Sequence, residues 1–371
     1  MNVCILTSTF PTDDADPLGR FIYDFCLTLT QKNNVTVITQ KRAQQYQINP
    51  KIKLIAFDWK GKDIPLADLK LYKINHLYYM ISLFYNAKKT LDDYVKNNKV
   101  DYCFALWAIP SGIGAYYLFR KNKTPFDVWC LGSDIWKHKD SFFTKSLLKK
   151  ILKAAKNVYA DGYNFSRDIE NLSGRGCKFL PSSRKLPPPE QRNEPSNKKI
   201  FLFIGRYHQN KGPDILIQAI ALIPKKVNAD CEFIFYGKGP LKEQLLNATA
   251  KLNLKNTVIN DIIDTNHIAN AFSKAHFLII PSRLDSIPVI LSDALQGMIP
   301  MIGADVGDLG DIIRIQKIGY VFERGSAVAL SEMIVKAFYD RKEDYYENIR
   351  NAMKTFSVDN AVAEFEGNLK I

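Results

Sequence analysis

The sequence predicts an α/β protein of two doubly wound domains, and three observations carry that prediction. Short apolar runs alternate with helical patterns along all 371 residues, the arrangement that builds parallel sheets with helices on both faces. A Pro-rich polar stretch at 181–199, PSSRKLPPPEQRNEPSNKK, interrupts the alternation near the middle. In the second half, three apolar runs end in loops that hold glycines and charges and then enter helices. With 46% hydrophobic and 24% charged residues, the chain is globular and long enough for two ordinary domains.

The elements follow in order. In the first half VCILT, VTVIT, KLIAF, YCFAL, VWCL and NVYAD read as strands; in the second come IFLFIG, EFIFYG, TVIND, HFLIIP, PMIGA and GYVFE. The N-terminus has no basic n-region and runs into Pro-Thr-Asp-Asp, so it reads as a first strand and not as a signal peptide. The expected division is a first domain at 1–183, a linker at 184–199, a second domain at 200–350 and a C-terminal segment at 351–371. That last segment carries Phe356, Val362 and Phe365 at helical spacing. No apolar run approaches the length of a membrane span. Six cysteines lie scattered without a C-x-x-C pair and five histidines show no ligand spacing. A reducing, cytoplasmic setting with no protein-held metal is therefore expected.

The most informative stretch is PSRLDSIPVILSDALQGMIPMIG, Pro281 to Gly303. An apolar strand ends at Pro281-Ser282, Asp285 sits in the loop, and Pro288 marks the first turn of a helix that stops at Gly297. A helix start beside the carboxyl end of a strand presents free N–H groups and a positive dipole end, which suits an anion. Asp285 and Asp293 lie eight residues apart, a little over two helical turns. Either carboxylate also has an ordinary reading, as an N-cap or a solvated helix residue. Upstream, IFLFIGRYHQNKGPDILIQA repeats the strand-loop-helix form with Gly205, Arg206 and Lys211, and FIFYGKGPLKEQLL does so with Gly237. Arg and Lys suit a diphosphate; carboxylates suit sugar hydroxyls.

These three segments resemble, in order and spacing, the motifs of the retaining glycosyltransferases of family 4, within glycosyl transferases group 1. The resemblance implies the GT-B fold, two Rossmann-like domains facing across a cleft, with the last helix crossing back to the first domain. It implies that Arg206 and Lys211 hold the donor diphosphate, and that Asp285 stands where the first Glu of E-x7-E meets the transferred sugar. Gly205 and Gly237 would line the donor site. Backbone amides of Ser286, Ile287, Val289 and Ile290 would meet sugar and phosphate oxygens, and Asp293 would take the second Glu position, which holds the ribose. Both glutamates are Asp here, each one methylene shorter. The nucleotide sugar is then a co-substrate, no cofactor or metal is needed, and the anomeric configuration is retained. The D-S-I-P form leans toward UDP-sugars.

The first half departs further from the family's pattern. Its glycine-rich loop is reduced to Gly19, which is read equally well as a helix-entry glycine. LWAIPSGIGAYYL and VWCLGSDIW resemble a pair of family elements, but Leu131 stands where many relatives have His. Asp134 is left as the carboxylate expected to face the cleft, with a helix N-cap as its plainer role.

Charge is concentrated in this half: residues 1–183 hold 27 Lys and Arg against 16 acids, a net of +11, while the rest hold 24 against 22, a net of +2. Two stretches, 70–89 and 137–156, mix lysines with aromatic or aliphatic residues, the pattern of an anionic membrane surface or of a core helix with a basic outer face. No recognition-helix or RNA-binding signature accompanies the charge, so nucleic acid is not the expected partner. The expected function is hexosyl transfer from a nucleotide-diphosphate sugar to a glycan or lipid-linked acceptor at the inner membrane face, in polysaccharide, lipopolysaccharide or glycolipid synthesis. The alternative is a catalytically weakened sugar-nucleotide-binding homologue.

Overall fold

Parallel pairing governs every strand contact described for this chain. The computed structural model describes all residues except 14, 15, 17, 43–45, 63, 65, 67, 68, 70–72, 139, 140, 190–196, 262–264, 370 and 371. The chain divides into one unit of Met1–Leu180 with Ala361–Ile371, and a second of Pro181–Asn360.

The first unit's sheet comprises β1 (Asn2–Thr7), β2 (Asn34–Gln40), β3 (Ile52–Phe57), β4 (Tyr102–Leu106), β5 (Phe126–Cys130), β6 (Val158–Ala160) and β7 (Lys178–Phe179). Its order is β3-β2-β1-β4-β5-β6-β7. β1, β4 and β5 are buried along almost their whole length, which is why they read as unbroken apolar runs. The second unit's sheet comprises β8 (Lys199–Ile204), β9 (Cys231–Tyr236), β10 (Thr257–Asn260), β11 (Phe277–Ile280), β12 (Met301–Ala304) and β13 (Gly319–Phe322), in the order β10-β9-β8-β11-β12-β13. In each sheet the order reverses direction, between β1 and β4 and between β8 and β11. Ligands of doubly wound sheets bind at the carboxyl ends of the strands at such a reversal.

One boundary differs from the expected division. The second unit begins at Pro181, so Ser182, Ser183 and Arg184 belong to it and are buried there. Of the expected linker, residues 190–196 lie outside the described residues. The last helix, Val358–Leu369, belongs to the first unit from Ala361 onward. Its Phe365 is fully buried, with its ring 4.3 Å from that of Phe104 and 5.7 Å from that of Phe25. Phe104 stacks in turn on Trp129, so the terminal helix supplies a central part of this core.

Truncating Phe365 removes a ring that has no room to be replaced by collapse. Phe365→Ala should destabilise the first unit by about 3–5 kcal/mol in denaturant unfolding. A loss within about 0.5 kcal/mol, the range of an ordinary surface substitution, would contradict this account of the core.

Candidate active site

Four loops meet at the carboxyl ends of β8, β9, β11 and β12, and close backbone approach holds them together. After β8, Gly205 donates its N–H to Tyr236 O at 3.0 Å. Tyr207 turns inward and is fully buried; its N–H donates to Lys238 O at 2.9 Å and its hydroxyl to Asn260 O at 2.6 Å. A Cβ on Gly237 would stand 2.0 Å from Gly205 O, so only glycine lets the loop after β9 lie against the loop after β8. Gly212, at φ 66°, likewise presses on the loop after β11: a Cβ there would stand 2.0 Å from Pro281 O. Arg283 completes the clamp, donating its N–H to Asn210 O at 2.7 Å and its guanidinium to both oxygens of Asp214 at 2.8 and 2.6 Å. Sequence reasoning missed Tyr207, Arg283 and Asp214. Arg283 lies inside the quoted motif, but nothing in the sequence says which carboxylate it meets.

On this scaffold Arg206 is exposed, and among the described residues no acceptor engages its guanidinium. Lys211 is not free: its Nζ lies 2.9 and 2.6 Å from the two oxygens of Asp285. The cation expected at the diphosphate and the carboxylate expected at the sugar are thus each other's partners here. Next to them begins the helix Val289–Gln296, capped by Pro288. The N–H groups of Ser286, Ile287, Val289 and Ile290 have no acceptor among the described residues. The Ser286 hydroxyl is buried and also without a partner. Four N–H groups without acceptors at a helix start suit phosphate oxygens, and Arg206 follows β8, the strand adjacent to β11.

Asp293 differs from the expectation. It is fully buried within the helix, and the Arg184 guanidinium donates to it through Nε, at 3.0 Å from each oxygen, and through Nη2. Gln296 fixes the arginine, its Nε2 donating to Arg184 O at 2.7 Å while its Oε1 accepts from Leu186 N–H at 3.0 Å. The carboxylate expected to hold a ribose is therefore enclosed by a residue from the stretch read as linker. Burial forces this: a carboxylate fully removed from water requires a charged or multiply donating partner.

In the first unit Asp134 does not face solvent. At 2% exposure it accepts N–H from Ala108 at 2.7 Å and from Leu131 at 3.2 Å, tying the loop after β4 to the loop after β5. Burial pushes its carboxyl up to about 6 although those N–H groups pull the other way. Its bonds join these two loops, and its carboxylate is buried where an open one was expected. Gly19 sits at φ 79° just before the helix Arg20–Leu29, the helix-entry role that was its plainer reading.

The two basic stretches separate. The helix Phe142–Ala154 buries Leu148, Ile151 and Leu152 completely, so these apolar residues are core, while Lys145, Lys150 and Lys153 are exposed. The helix Ile74–Asn97 does the reverse over its first three turns: Ile74, Leu77, Tyr78, Ile81 and Tyr85 are 85%, 47%, 54%, 60% and 67% exposed. Their spacing places them on one stripe. Residues 70–72 lie outside the described residues, and among the described residues no helix is long and apolar enough to cross a membrane.

The Arg184–Asp293 pair makes a direct test. Arg184→Ala leaves a carboxylate buried without its partner and should cost about 3–5 kcal/mol, whereas Arg184→Met together with Asp293→Leu should recover most of that loss. A double variant as unstable as the single one would show that the pair's charge is not what stabilises this contact.

Residues 188–355 match the family glycosyl transferases group 1. An uncharacterized glycosyltransferase of Methanocaldococcus jannaschii is 25% identical over 76% of this chain and 78% of its own length. The putative teichuronic acid biosynthesis glycosyltransferase TuaC of Bacillus subtilis is 22% identical over 67% of this chain and 66% of its own. The Anabaena protein HepE, solved in complex with UDP and glucose, superposes with a TM-score of 0.72 at 15% identity, covering 100% of this chain and 99% of that one. The likeness in structure shows the fold, the GT-B class of α/β enzymes, and the chain, with its group 1 glycosyltransferase domain over residues 188–355, is a glycosyltransferase.

Proposed function

We propose that this enzyme moves a sugar from a uridine-diphosphate sugar to a glycan or lipid-linked acceptor at the cytoplasmic face of a membrane, with retention of anomeric configuration, in the assembly of surface polysaccharide or glycolipid. The observation that carries the donor half is the set of four unpartnered N–H groups at the helix start after β11, with Arg206 following the adjacent strand β8. The UDP bound by HepE and the teichuronic acid role in the name of TuaC support the nucleotide and the polysaccharide.

In this reading Arg206 and the helix start receive the diphosphate. Lys211 exchanges Asp285 for a phosphate oxygen, and Asp285, so released, accepts from a hydroxyl of the transferred sugar. The acceptor oxygen then forms its bond to the anomeric carbon on the face from which the diphosphate leaves. The carbon–oxygen bond to phosphate breaks, and the acceptor's proton passes to the departing phosphate oxygen. Two cations and a helix N-terminus stabilise the charge that grows there, so this reading includes no metal. Asp293 has no ribose role unless Arg184 withdraws. That enclosure, with Leu131 in place of a His, favours the second reading, a nucleotide-sugar-binding homologue with little turnover.

Removing one preorganised stabiliser lowers turnover by about a hundredfold or more, the loss expected for Arg206→Ala and for Lys211→Ala. Transfer rates measured with a panel of nucleotide sugars check this; wild-type rates in both variants would refute the assignment. A donor that raises thermal stability without any transfer or hydrolysis would favour the second reading.

The acceptor half rests on the net +11 of residues 1–183 and on the exposed stripe of the Ile74–Asn97 helix. Each Lys near an anionic bilayer contributes on the order of 1 kcal/mol, and the stripe offers apolar side chains to the interface. Sedimentation with vesicles rich in phosphatidylglycerol should capture the wild type. Changing Lys145, Lys149, Lys150 and Lys153 to Glu should weaken capture chiefly at low salt, whereas Ile81→Glu with Tyr85→Glu should weaken it at low and high salt alike. Unchanged capture of both variants would leave the basic half without a membrane role.

A further inference from the structure

We propose that the first unit holds the hydrocarbon chain of the acceptor in an apolar pocket; the inference deepens the reading of a lipid-linked acceptor and rests on it. A cavity of about 360 Å³ opens beside the carboxyl ends of β1, β2 and β3, where the sheet order reverses between β1 and β4. Leu6, Ile38, Phe57, Phe84, Leu91 and Ile113 form its body. Four polar side chains around it already have partners. Thr7 Oγ1 donates to Thr9 O, Gln40 Nε2 to Ser8 O, Tyr117 OH to Asp92, and Lys88 Nζ also meets Asp92. A sugar placed there would lose its hydrogen bonds to water and find few in return, whereas a hydrocarbon has none to lose. The size lies within the range of small-molecule pockets.

The choice of a long chain over a compact apolar group follows from the helix Ile74–Asn97. Its stripe from Ile74 to Tyr85 runs along about 16 Å of helix, at a rise of roughly 1.5 Å per residue. Phe84 and Lys88, at the pocket wall, lie three residues beyond Ile81 and Tyr85, the spacing of side-chain neighbours on a helix. Exposed apolar surface therefore leads along this helix to the enclosed apolar space. A chain drawn from a bilayer would stay in apolar contact throughout, and Ser8 and Ser111, on the strand-end side of the wall, mark where a polar headgroup would emerge.

The test uses the full-length chain and cis-parinaric acid, a straight-chain fluorescent fatty acid, displaced by alkyl phosphates of increasing length. The wild type should bind the probe, and displacement should strengthen by roughly fourfold per methylene until the cavity is full. Ala87→Trp, which places a ring in the cavity, should weaken binding at least tenfold, while Ile81→Glu with Tyr85→Glu should leave it within a few-fold. No binding by the wild type, a flat chain-length series, or equal affinity in Ala87→Trp overturns the proposal. So does loss in the Ile81/Tyr85 variant alone, which would place the chain on the surface stripe. Should Ala87→Trp fail to fold, the chain-length series on the wild type decides. A thermal shift with UDP-glucose on the same wild-type sample reads the donor assignment separately, so its failure is not confused with failure of the pocket.

Discussion

The reversal of strand order between β8 and β11 is the constraint on which the candidate site of the second unit depends. β8 connects onward to β9 on one side of the sheet, and β11 connects to β12 on the other. The loops leaving these two adjacent strands must therefore part, and the space between them opens at the carboxyl edge. Everything chemical in the second unit stands on the rim of that space: Arg206 and Lys211 follow β8, and Asp285 with the helix start follows β11. Close glycine contacts and the Arg283–Asp214 clamp keep the rim from spreading. The fold makes the opening, and the loop contacts give it a fixed shape.

Two ion pairs on this framework differ in what their surroundings allow. Lys211 and Asp285 retain 26% and 17% side-chain exposure, so water shares their charges and a diphosphate with two or more negative charges can compete for the lysine. Arg184 and Asp293 retain 10% and 0%, and separating them would leave a bare charge in the interior. The first pair suits a residue that changes partner during a reaction cycle, and the second suits a fixed joint.

Much of this was legible in the sequence. All twelve apolar runs named from the sequence overlap observed strands; those buried throughout, such as β1, β4 and β11, are apolar at nearly every position and leave the clearest trace. β7, two residues at the sheet edge, leaves no such trace and was not found. The glycines and charges of the three loops were found by the same logic. What was not legible was pairing: neither Arg184 with Asp293 nor Arg283 with Asp214 follows from positions 109 and 69 residues apart. Tyr207 shows the same limit, since an aromatic beside two polar residues does not reveal that it points inward to anchor two other loops.

The two lysine-rich helices show why periodicity alone cannot separate a membrane face from a core face. Both present apolar residues at helical spacing, since the same three-to-four repeat serves either burial. One buries its leucines against the sheet of the first unit, and the other carries its isoleucines and tyrosines into solvent. At an anionic surface the two would act in different physical ways. Lysines act through a field that salt confines to about 10 Å at 0.1 M, while apolar side chains act on contact and are little affected by salt. A protein with only the first would hover near an anionic layer without a defined orientation. With a localised apolar stripe added, one face of the first unit is selected, and that face belongs to the helix that also walls the apolar pocket. In the proposed membrane role, charge would set whether the enzyme is near the lipid, and the stripe would set which face of the first unit meets it.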